Sequence, residues 1–229
     1  MLSIIQRLFG SWQNILIGIP VTLIALAGHE FAHGFVSDKL GDPTPRNQGR
    51  LTLNPFAHLD LIGTILMILT GFGWAKPVMV NPRYYKNPKA GMALTAAAGP
   101  LANLIMAFGT MLLYALLMII NIKLNLGWDT AVSAIGDIVL FFAFRNLCFM
   151  VFNIIPIPPL DGFKVLGLIV PNRVYYTILQ YERYAIIVIM LLSITGAFNM
   201  IIGTGVDFIL SGIRNLLKGL IGIVVLWNR

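Results

Sequence analysis

The sequence predicts an all-α polytopic membrane protein, with about four to six transmembrane or re-entrant helices and short β-strands at the membrane surface. Of the 229 residues, 58% are hydrophobic and 11% are charged, and the mean hydropathy is +0.83. A soluble domain of this length needs more charge to cover its surface. Apolar runs of about 18 residues or more recur, and each is long enough to cross the hydrocarbon core of a bilayer.

Four of these runs are predicted to be membrane spans. They cover roughly residues 12–36, 90–120, 130–155 and 184–201. We expect the first to be retained as a span rather than cleaved as a secretory signal, because its apolar pattern continues past the small residues near position 26. The whole chain, 1–229, is predicted to be one membrane domain. Its core covers about 12–170, and its C-terminal span and tail cover about 184–229.

Three other segments are predicted to lie at the membrane surface. Residues 62–72 are apolar but too short to cross, which favours a re-entrant or interfacial piece. Residues 50–54 alternate between polar and apolar, which predicts a short strand, and residues 76–80 are predicted to form a second one. In the tail, 206–227, Arg214 and Lys218 lie four residues apart among apolar residues. This spacing favours an amphipathic interfacial helix and leaves a fifth span open.

The net charge is +7, from 16 Lys and Arg against 9 Asp and Glu. These basic residues flank apolar runs, so we interpret them as contacts to lipid headgroups and orientation signals, and we expect no nucleic-acid partner. Residues 37–89 are richer in basic residues than the 121–129 loop. The positive-inside rule therefore predicts a multi-pass protein of the cell membrane with the 37–89 region in the cytoplasm.

The end of the first span carries the residues that indicate chemistry. His29 and His33 are four residues apart, so one face of a helix presents both imidazoles to the same ion. Two such histidines, with Glu30 beside them as general base, are the arrangement of zinc metalloproteases. Zinc lowers the pKa of a water to about 7, and Glu30 would accept its proton during attack on a peptide carbonyl. Ionisable groups within a span are costly and usually serve a function.

A catalytic zinc needs a third protein ligand and one open position. The candidates are Asp161, His58, Asp60 and Asp137. Asp161 is favoured because it follows the exit of the third span, which runs in the same direction as the first. Asp161 and the histidines should therefore lie at the same, cytoplasmic, depth. The alternative is that Asp161 only caps the next helix.

Several motifs together resemble the site-2 protease family of intramembrane metalloproteases. They are His29-Glu30-Phe31-Ala32-His33, Asn54-Pro55 with His58-Leu59-Asp60, Gly99-Pro100 with Asn103, and Asn153 to Pro156 followed by Leu160-Asp161-Gly162. The resemblance covers roughly 17–165 and suggests the compact form without a PDZ or CBS domain. It implies a Zn²⁺ cofactor with Asp161 as third ligand, transmembrane substrates, and substrate-positioning roles for Asn153 and Asn103.

The other function class compatible with these ligands is a non-catalytic membrane metal-binding protein or transporter. A transport path should show ionisable groups distributed across the membrane. Here they cluster towards one side, which favours the protease. The single cysteine, Cys148, excludes a cysteine-rich metal site. The sequence does not predict the oligomeric state.

Overall fold

The structure, a computed structural model, describes residues 12–60, 63 and 76–226, and these residues are mostly helical. The α-helices in this part of the chain are α1 (Trp12–Lys39), α2 (Thr44–Asn47), α3 (Pro88–Leu124), α4 (Asp129–Ile154), α5 (Asp161–Leu166), α6 (Asn172–Leu179), α7 (Glu182–Ile194) and α8 (Ala197–Leu226). Two short 3₁₀ turns cover Pro55–His58 and Pro82–Tyr84.

Four of the described helices are long and apolar enough to cross a membrane. The crossing stretches are Ile17–Lys39, Pro88–Leu124, Asp129–Ile154 and Met200–Gly219. The first three agree with the predicted spans to within a few residues, and the polytopic helical fold class is confirmed. Exposed leucines and isoleucines on these helices, such as Ile24 and Leu113, suit contact with lipid tails.

The fourth predicted span, 184–201, is corrected by the structure. Helix α7 ends at Ile194, and the chain turns at Gly196, which has a φ of +76°. A left-handed glycine is a common helix terminator, so the apolar run is divided in two. The fourth candidate span, Met200–Gly219, lies in α8 and extends into the 206–227 tail, for which the sequence favoured an interfacial helix and left a fifth span open.

The predicted surface strands are also corrected. None of the described residues forms a strand beyond an isolated bridge residue at Leu59. Residues 50–54 and 76–80 lack helical structure, but their polar groups bond to other partners. The Val78 N–H donates to the Glu30 carboxylate, and the His58 Nε2 donates to the Thr52 carbonyl. The predicted re-entrant segment, 62–72, lies outside the described residues except for residue 63.

Helix α3 begins and ends at residues suited to those positions. The Asn87 side chain accepts a hydrogen bond from the Ala90 N–H, and Pro88 occupies the first helical position. At the other end, Asn125 adopts a left-handed conformation with a φ of 47°. These two boundaries define a 37-residue helix that reaches both the functional site and the apolar core.

The second half of α3 packs with α4 and α8 around one hydrophobic core. The buried residues are Ala107, Met111 and Ala115 from α3, Ala143, Leu147 and Val151 from α4, and Val206, Leu210, Ile213 and Leu217 from α8. The first half of α3 packs against α1. At Gly28 of α1, a Cβ would lie 2.6 Å from the end of the Met106 side chain, which shows how closely the two helices approach. This packing brings α1 and α3 close enough to share a site.

Candidate active site

The two histidines of α1 point at one another. Their Nε2 atoms are 3.0 Å apart, and their rings meet edge to face with centroids 4.6 Å apart. A separation of four residues places both rings on one helix face. The His29 side chain is 5% exposed and the His33 side chain is 12% exposed, so the pair lies nearly out of solvent.

Asp161 completes the cluster from α5. Its Oδ2 lies 3.2 Å from the His29 Nε2 and 3.1 Å from the His33 Nε2. Asp161 is the first residue of α5, and the N-cap residue before it is Leu160. The next residue, Gly162, lies against the end of α4, where a Cβ would be 2.2 Å from the Ile154 carbonyl oxygen. Glycine therefore permits the close return of the chain that carries Asp161 to the histidines.

Hydrogen bonds on the far side of each imidazole set its tautomer. The His29 Nδ1 is 2.6 Å from the Asn103 Oδ1, and the His33 Nδ1 is 2.7 Å from the Thr95 carbonyl oxygen. These oxygens only accept, so each Nδ1 carries the proton and each Nε2 presents a lone pair. Two lone pairs and a carboxylate oxygen then converge on one point, which is favourable when a cation lies among them.

The spacing of the three atoms fits zinc. Ligands at about 2.0–2.1 Å in a tetrahedron are roughly 3.3 Å from one another. The three separations of 3.0, 3.1 and 3.2 Å are close to that value. His29, His33 and Asp161 form a group able to hold a metal ion among the described residues. Three ligands leave a fourth position open, as a catalytic zinc site requires.

Gly99 of α3 forms the wall directly beside the two rings. A Cβ at this position would lie 2.5 Å from the His33 Nε2 and 2.6 Å from the His29 Cε1. Any side chain would therefore displace the ligand atoms. Glycine at this position of α3 permits the close approach to the histidines.

Glu30 lies beside the cluster and is held by the backbone of the 76–80 segment. Its Oε2 accepts a hydrogen bond of 2.9 Å from the Val78 N–H. Its side chain is partly buried. One carboxylate oxygen is thus fixed in place, and the other retains lone pairs for a proton from a water.

Of the alternative third ligands, the structure brings Asp161 to the histidines. The Asp60 carboxylate instead accepts a bond from the Gly63 N–H, and Asp137 is exposed on α4. His58 is 1% exposed, and its Nε2 donates to the Thr52 carbonyl. The capping alternative for Asp161 is not supported, because the start of α5 shows no side-chain capping bond.

The two predicted substrate-positioning asparagines differ in their contacts. Asn103 is fully buried and touches His29, while its Nδ2 donates to the Ala25 carbonyl and to the Asn146 Oδ1. Asn153 donates to the Phe149 carbonyl of its own helix at 3.0 Å. Asn103 therefore supports a histidine directly, whereas the side-chain bond that Asn153 donates is local to α4.

Sequence reasoning missed three groups at the site: the Thr95 carbonyl, the Val78 N–H and Asn146. The first two are backbone groups, which carry no residue-specific signal. Asn146 did carry one, since it is a polar residue inside an apolar span and such residues usually have a partner.

Comparison with known proteins is consistent with this geometry. YwhC of Bacillus subtilis (strain 168) is 40% identical over 178 residues, which cover 77% of this chain and 80% of YwhC. Rip2 of Mycolicibacterium smegmatis is 27% identical over 182 residues, covering 77% of this chain and 66% of Rip2. Both are named "Putative zinc metalloprotease". The model of Peptidase family M50 matches residues 116–197, which include Asp161.

The chain belongs to peptidase family M50. This membership confirms the resemblance to the site-2 proteases, and with the apolar helices it makes the chain an intramembrane zinc metalloprotease. No solved structure matches the chain.

Proposed function

We propose that this M50 peptidase holds its zinc on the Nε2 atoms of His29 and His33 and on the Oδ2 of Asp161, and that Glu30 is its general base. The observation that carries this assignment is the convergence of three lone-pair atoms, 3.0–3.2 Å apart, in a nearly buried site. Without a cation their mutual repulsion would be uncompensated in a medium of low dielectric constant.

Zinc bound there would polarise a peptide carbonyl and make a water acidic enough to attack it near neutral pH. Glu30 accepts the proton of that water and passes it to the leaving amine. The Val78 N–H fixes the Glu30 carboxylate in one orientation. Asn103 and the Thr95 carbonyl keep the Nδ1 atoms protonated, so the ligand atoms stay directed at the metal.

A membrane protease of this kind acts on membrane proteins in the bilayer, and we propose that it cuts within or near their transmembrane segments. A helical peptide bond is shielded by its own hydrogen bonds, so the substrate must unwind before attack. Unwound backbone in lipid needs new partners. The 50–54 and 76–80 segments lie beside the site and form no strand ladder among the described residues. Their backbone groups would bond to the unwound substrate, as an exposed sheet edge bonds to an added strand. Asn153, at the exit of α4, would offer its amide to the same backbone.

We further propose that the chain functions as one membrane domain of a multi-pass protein, with the site towards the cytoplasm. The density of basic residues in 37–89 supports this orientation. Labelling of single cysteines placed in the 37–60 loop should be blocked by a membrane-impermeant thiol reagent added from the cytoplasmic side of vesicles. Protection only from the opposite side contradicts the orientation.

The assignment of metal and base is tested with two variants of purified protein. Wild type should contain about one zinc per chain, and a His29→Ala, His33→Ala variant should contain almost none. Glu30→Gln should retain the zinc and lose cleavage of a panel of membrane substrates by about a thousandfold or more, because base and water positioning fail together. Stoichiometric zinc in the double variant, or activity of Glu30→Gln within tenfold of wild type, contradicts the assignment.

A further inference from the structure

A second buried polar cluster lies next to the metal centre, in the loop after α1. Its centre is Asp42, which is 0% exposed. The Asp42 Oδ2 accepts hydrogen bonds from the Ser37 hydroxyl at 2.8 Å and from the Asn81 N–H at 2.6 Å, and its Oδ1 accepts one from the Thr44 N–H at 2.9 Å. All three donors are neutral. Asp42 therefore joins the end of α1, the start of α2 and the segment around Asn81 at one buried point.

One branch of this cluster leads to the general base. The Asn81 N–H is bound to Asp42, and three residues earlier the Val78 N–H is bound to Glu30. The stretch from Val78 to Asn81 is therefore held at both ends, once by a loop carboxylate and once by the base itself. These two bonds and the buried Val78 side chain fix its position, since the stretch has no strand partner in the described part of the chain.

The other branch leads to the second histidine. The Ser37 hydroxyl is 2.7 Å from the Tyr85 hydroxyl, which is 3.2 Å from the Thr95 Oγ1. Thr95 is the residue whose carbonyl oxygen accepts from the His33 Nδ1. Ser37 follows His33 by one helical turn on α1, so Tyr85 ties the helix that carries the histidine to the helix that carries its acceptor. Tyr85 is 5% exposed, and its ring covers Gly91 of α3.

We propose that Asp42 and Tyr85 are positioning residues for the protease reaction: Asp42 sets the orientation of Glu30 through the 78–81 stretch, and Tyr85 sets the orientation of His33 through Thr95. The role requires a carboxylate because three donors point at this side chain at once. Both oxygens of an aspartate accept hydrogen bonds, whereas an asparagine at this position would have one acceptor oxygen and an NH₂ group. The inference rests on the proposed roles of Glu30 and His33.

The test uses two near-isosteric variants with matched controls. Asp42→Asn removes acceptor capacity, and Asp38→Asn makes the same change at a carboxylate four residues earlier that pairs with the exposed Arg46. Tyr85→Phe removes one hydroxyl, and Tyr84→Phe removes one from the neighbouring tyrosine, which is 53% exposed. Ser37→Ala cuts the link between the branches and leaves both backbone donors of Asp42 in place.

The first readout is amide hydrogen exchange of the peptide that contains residues 78–81, with zinc bound. Asp42→Asn should speed its exchange about tenfold or more, because the stretch loses one of its two bonds. Tyr85→Phe and Ser37→Ala should leave this exchange unchanged. The second readout is the visible spectrum of the cobalt-substituted protein, which reports ligand geometry. Tyr85→Phe and Ser37→Ala should both change that spectrum, and Tyr84→Phe should not.

Kinetics separate positioning from a merely structural role. Per zinc-loaded molecule, Asp42→Asn should lower kcat about 10- to 100-fold with KM within about threefold of wild type, since a misplaced base slows the chemical step more than binding. Tyr85→Phe should weaken zinc affinity about threefold to tenfold, less than loss of a direct partner of the ligand. The proposal is overturned if Asp42→Asn matches Asp38→Asn in exchange and in kcat, or if the spectra of Tyr85→Phe and Ser37→Ala match that of Tyr84→Phe.

The exchange and cobalt measurements need no substrate, so they decide the proposal independently of the proposed function. If wild type binds zinc and cleaves no membrane substrate, the proposed function fails, while the exchange and spectral differences still show whether Asp42 and Tyr85 position Glu30 and His33. If Asp42→Asn does not fold, an unchanged cobalt spectrum in both Ser37→Ala and Tyr85→Phe overturns the Tyr85 branch. In that case the Asp42 branch is tested by Asp42→Glu, which keeps the charge but moves the carboxylate by one methylene. Exchange of the 78–81 peptide should then be faster than in Asp38→Asn, and equal exchange overturns the Asp42 branch.

Discussion

His29 and His33 supply equivalent atoms to the cluster but are held by different kinds of group. His29 is held by a side chain, since Asn103 binds it and is itself held by the Ala25 carbonyl and by Asn146. We call this group the inner half of the site. His33 is held by the backbone carbonyl of Thr95, and the Thr95 hydroxyl bonds in turn to Tyr85, from the segment between α1 and α3. We call His33, Thr95 and Tyr85, together with Glu30 and the 78–81 stretch, the outer half of the site.

The difference predicts how each half responds to substitution. The inner half is assembled from buried side chains of α1, α3 and α4, so removing one amide removes a partner of the ligand. In the outer half the direct partners are a backbone carbonyl and a backbone N–H, which no substitution other than proline removes. Its geometry is adjusted from a distance, through the loop that contains Asp42.

The largest loss of zinc affinity should follow from a substitution that displaces the histidines of both halves. Gly99→Ala places a methyl group about 2.5 Å from the His33 Nε2 and 2.6 Å from the His29 Cε1. We expect zinc affinity to fall by about 100-fold or more, because both ligands must move. Gly109→Ala is the control, since a Cβ at that position of the same helix meets nothing within 4 Å. Zinc content should be measured by metal analysis after dialysis against a buffered zinc series, and equal affinities in the two variants contradict the close approach.

A smaller effect is expected when only the inner half is broken. Asn103→Leu removes the acceptor of the His29 Nδ1–H and should weaken zinc binding about 10- to 100-fold. Asn121→Leu is the matched control, because it removes a buried amide of the same helix that binds Asp129 and the Trp128 N–H instead. Both variants should lose stability, and only Asn103→Leu should lose zinc affinity in the same dialysis series. Equal zinc binding in both would show that Asn103 serves packing alone.

One step further from the metal, the effect should diminish. Asn146→Leu removes one of the two acceptors of the Asn103 amide and leaves the Ala25 carbonyl in place. We expect zinc affinity to fall about threefold to tenfold, less than for Asn103→Leu, since the acceptor of His29 is loosened and not deleted. A double variant then tests the order of action. If Asn103→Leu, Asn146→Leu binds zinc no more weakly than Asn103→Leu alone, Asn146 acts through Asn103; additive losses contradict that order.

The smallest expected effect is in the outer half, in how the stability that Asp42 contributes changes with pH. Burial raises the pKa of Asp42, but bonds from the Asn81 and Thr44 N–H groups and the Ser37 hydroxyl outweigh it and hold the pKa below its usual range. Because the pKa is lower folded than unfolded, Asp42 stabilises the fold above about pH 3.9, and that stabilisation is lost as the pH falls through the folded value. The stability difference between wild type and Asp42→Asn, measured by thermal unfolding in detergent, should therefore be largest near neutral pH and shrink below about pH 4. A difference that grows towards acid contradicts this sign.

The sequence predicted what depends on short-range geometry. The spacing of His29 and His33 gives their shared face directly, and the shared direction of the first and third spans predicted that Asp161 would lie near them, as it does in the structure. It failed at 76–80, where a strand-like pattern gave no indication that the Val78 N–H would bond to the Glu30 side chain across the fold. It also failed at the fourth span, where apolar composition continues through Gly196 and only the backbone turn there divides the run.

The split of the ligand set between α1 and the start of α5 has a consequence for biosynthesis. His29 and His33 leave the ribosome and enter the membrane well before Asp161 is synthesised. Until α3 and α4 have been inserted and packed, the chain offers two of the three ligands, too few for a catalytic zinc site. With the proposed ligand set, a chain whose central helices are not assembled lacks the third ligand, so we expect a nascent or misinserted copy to bind no catalytic zinc and to cleave nothing in the membrane that receives it.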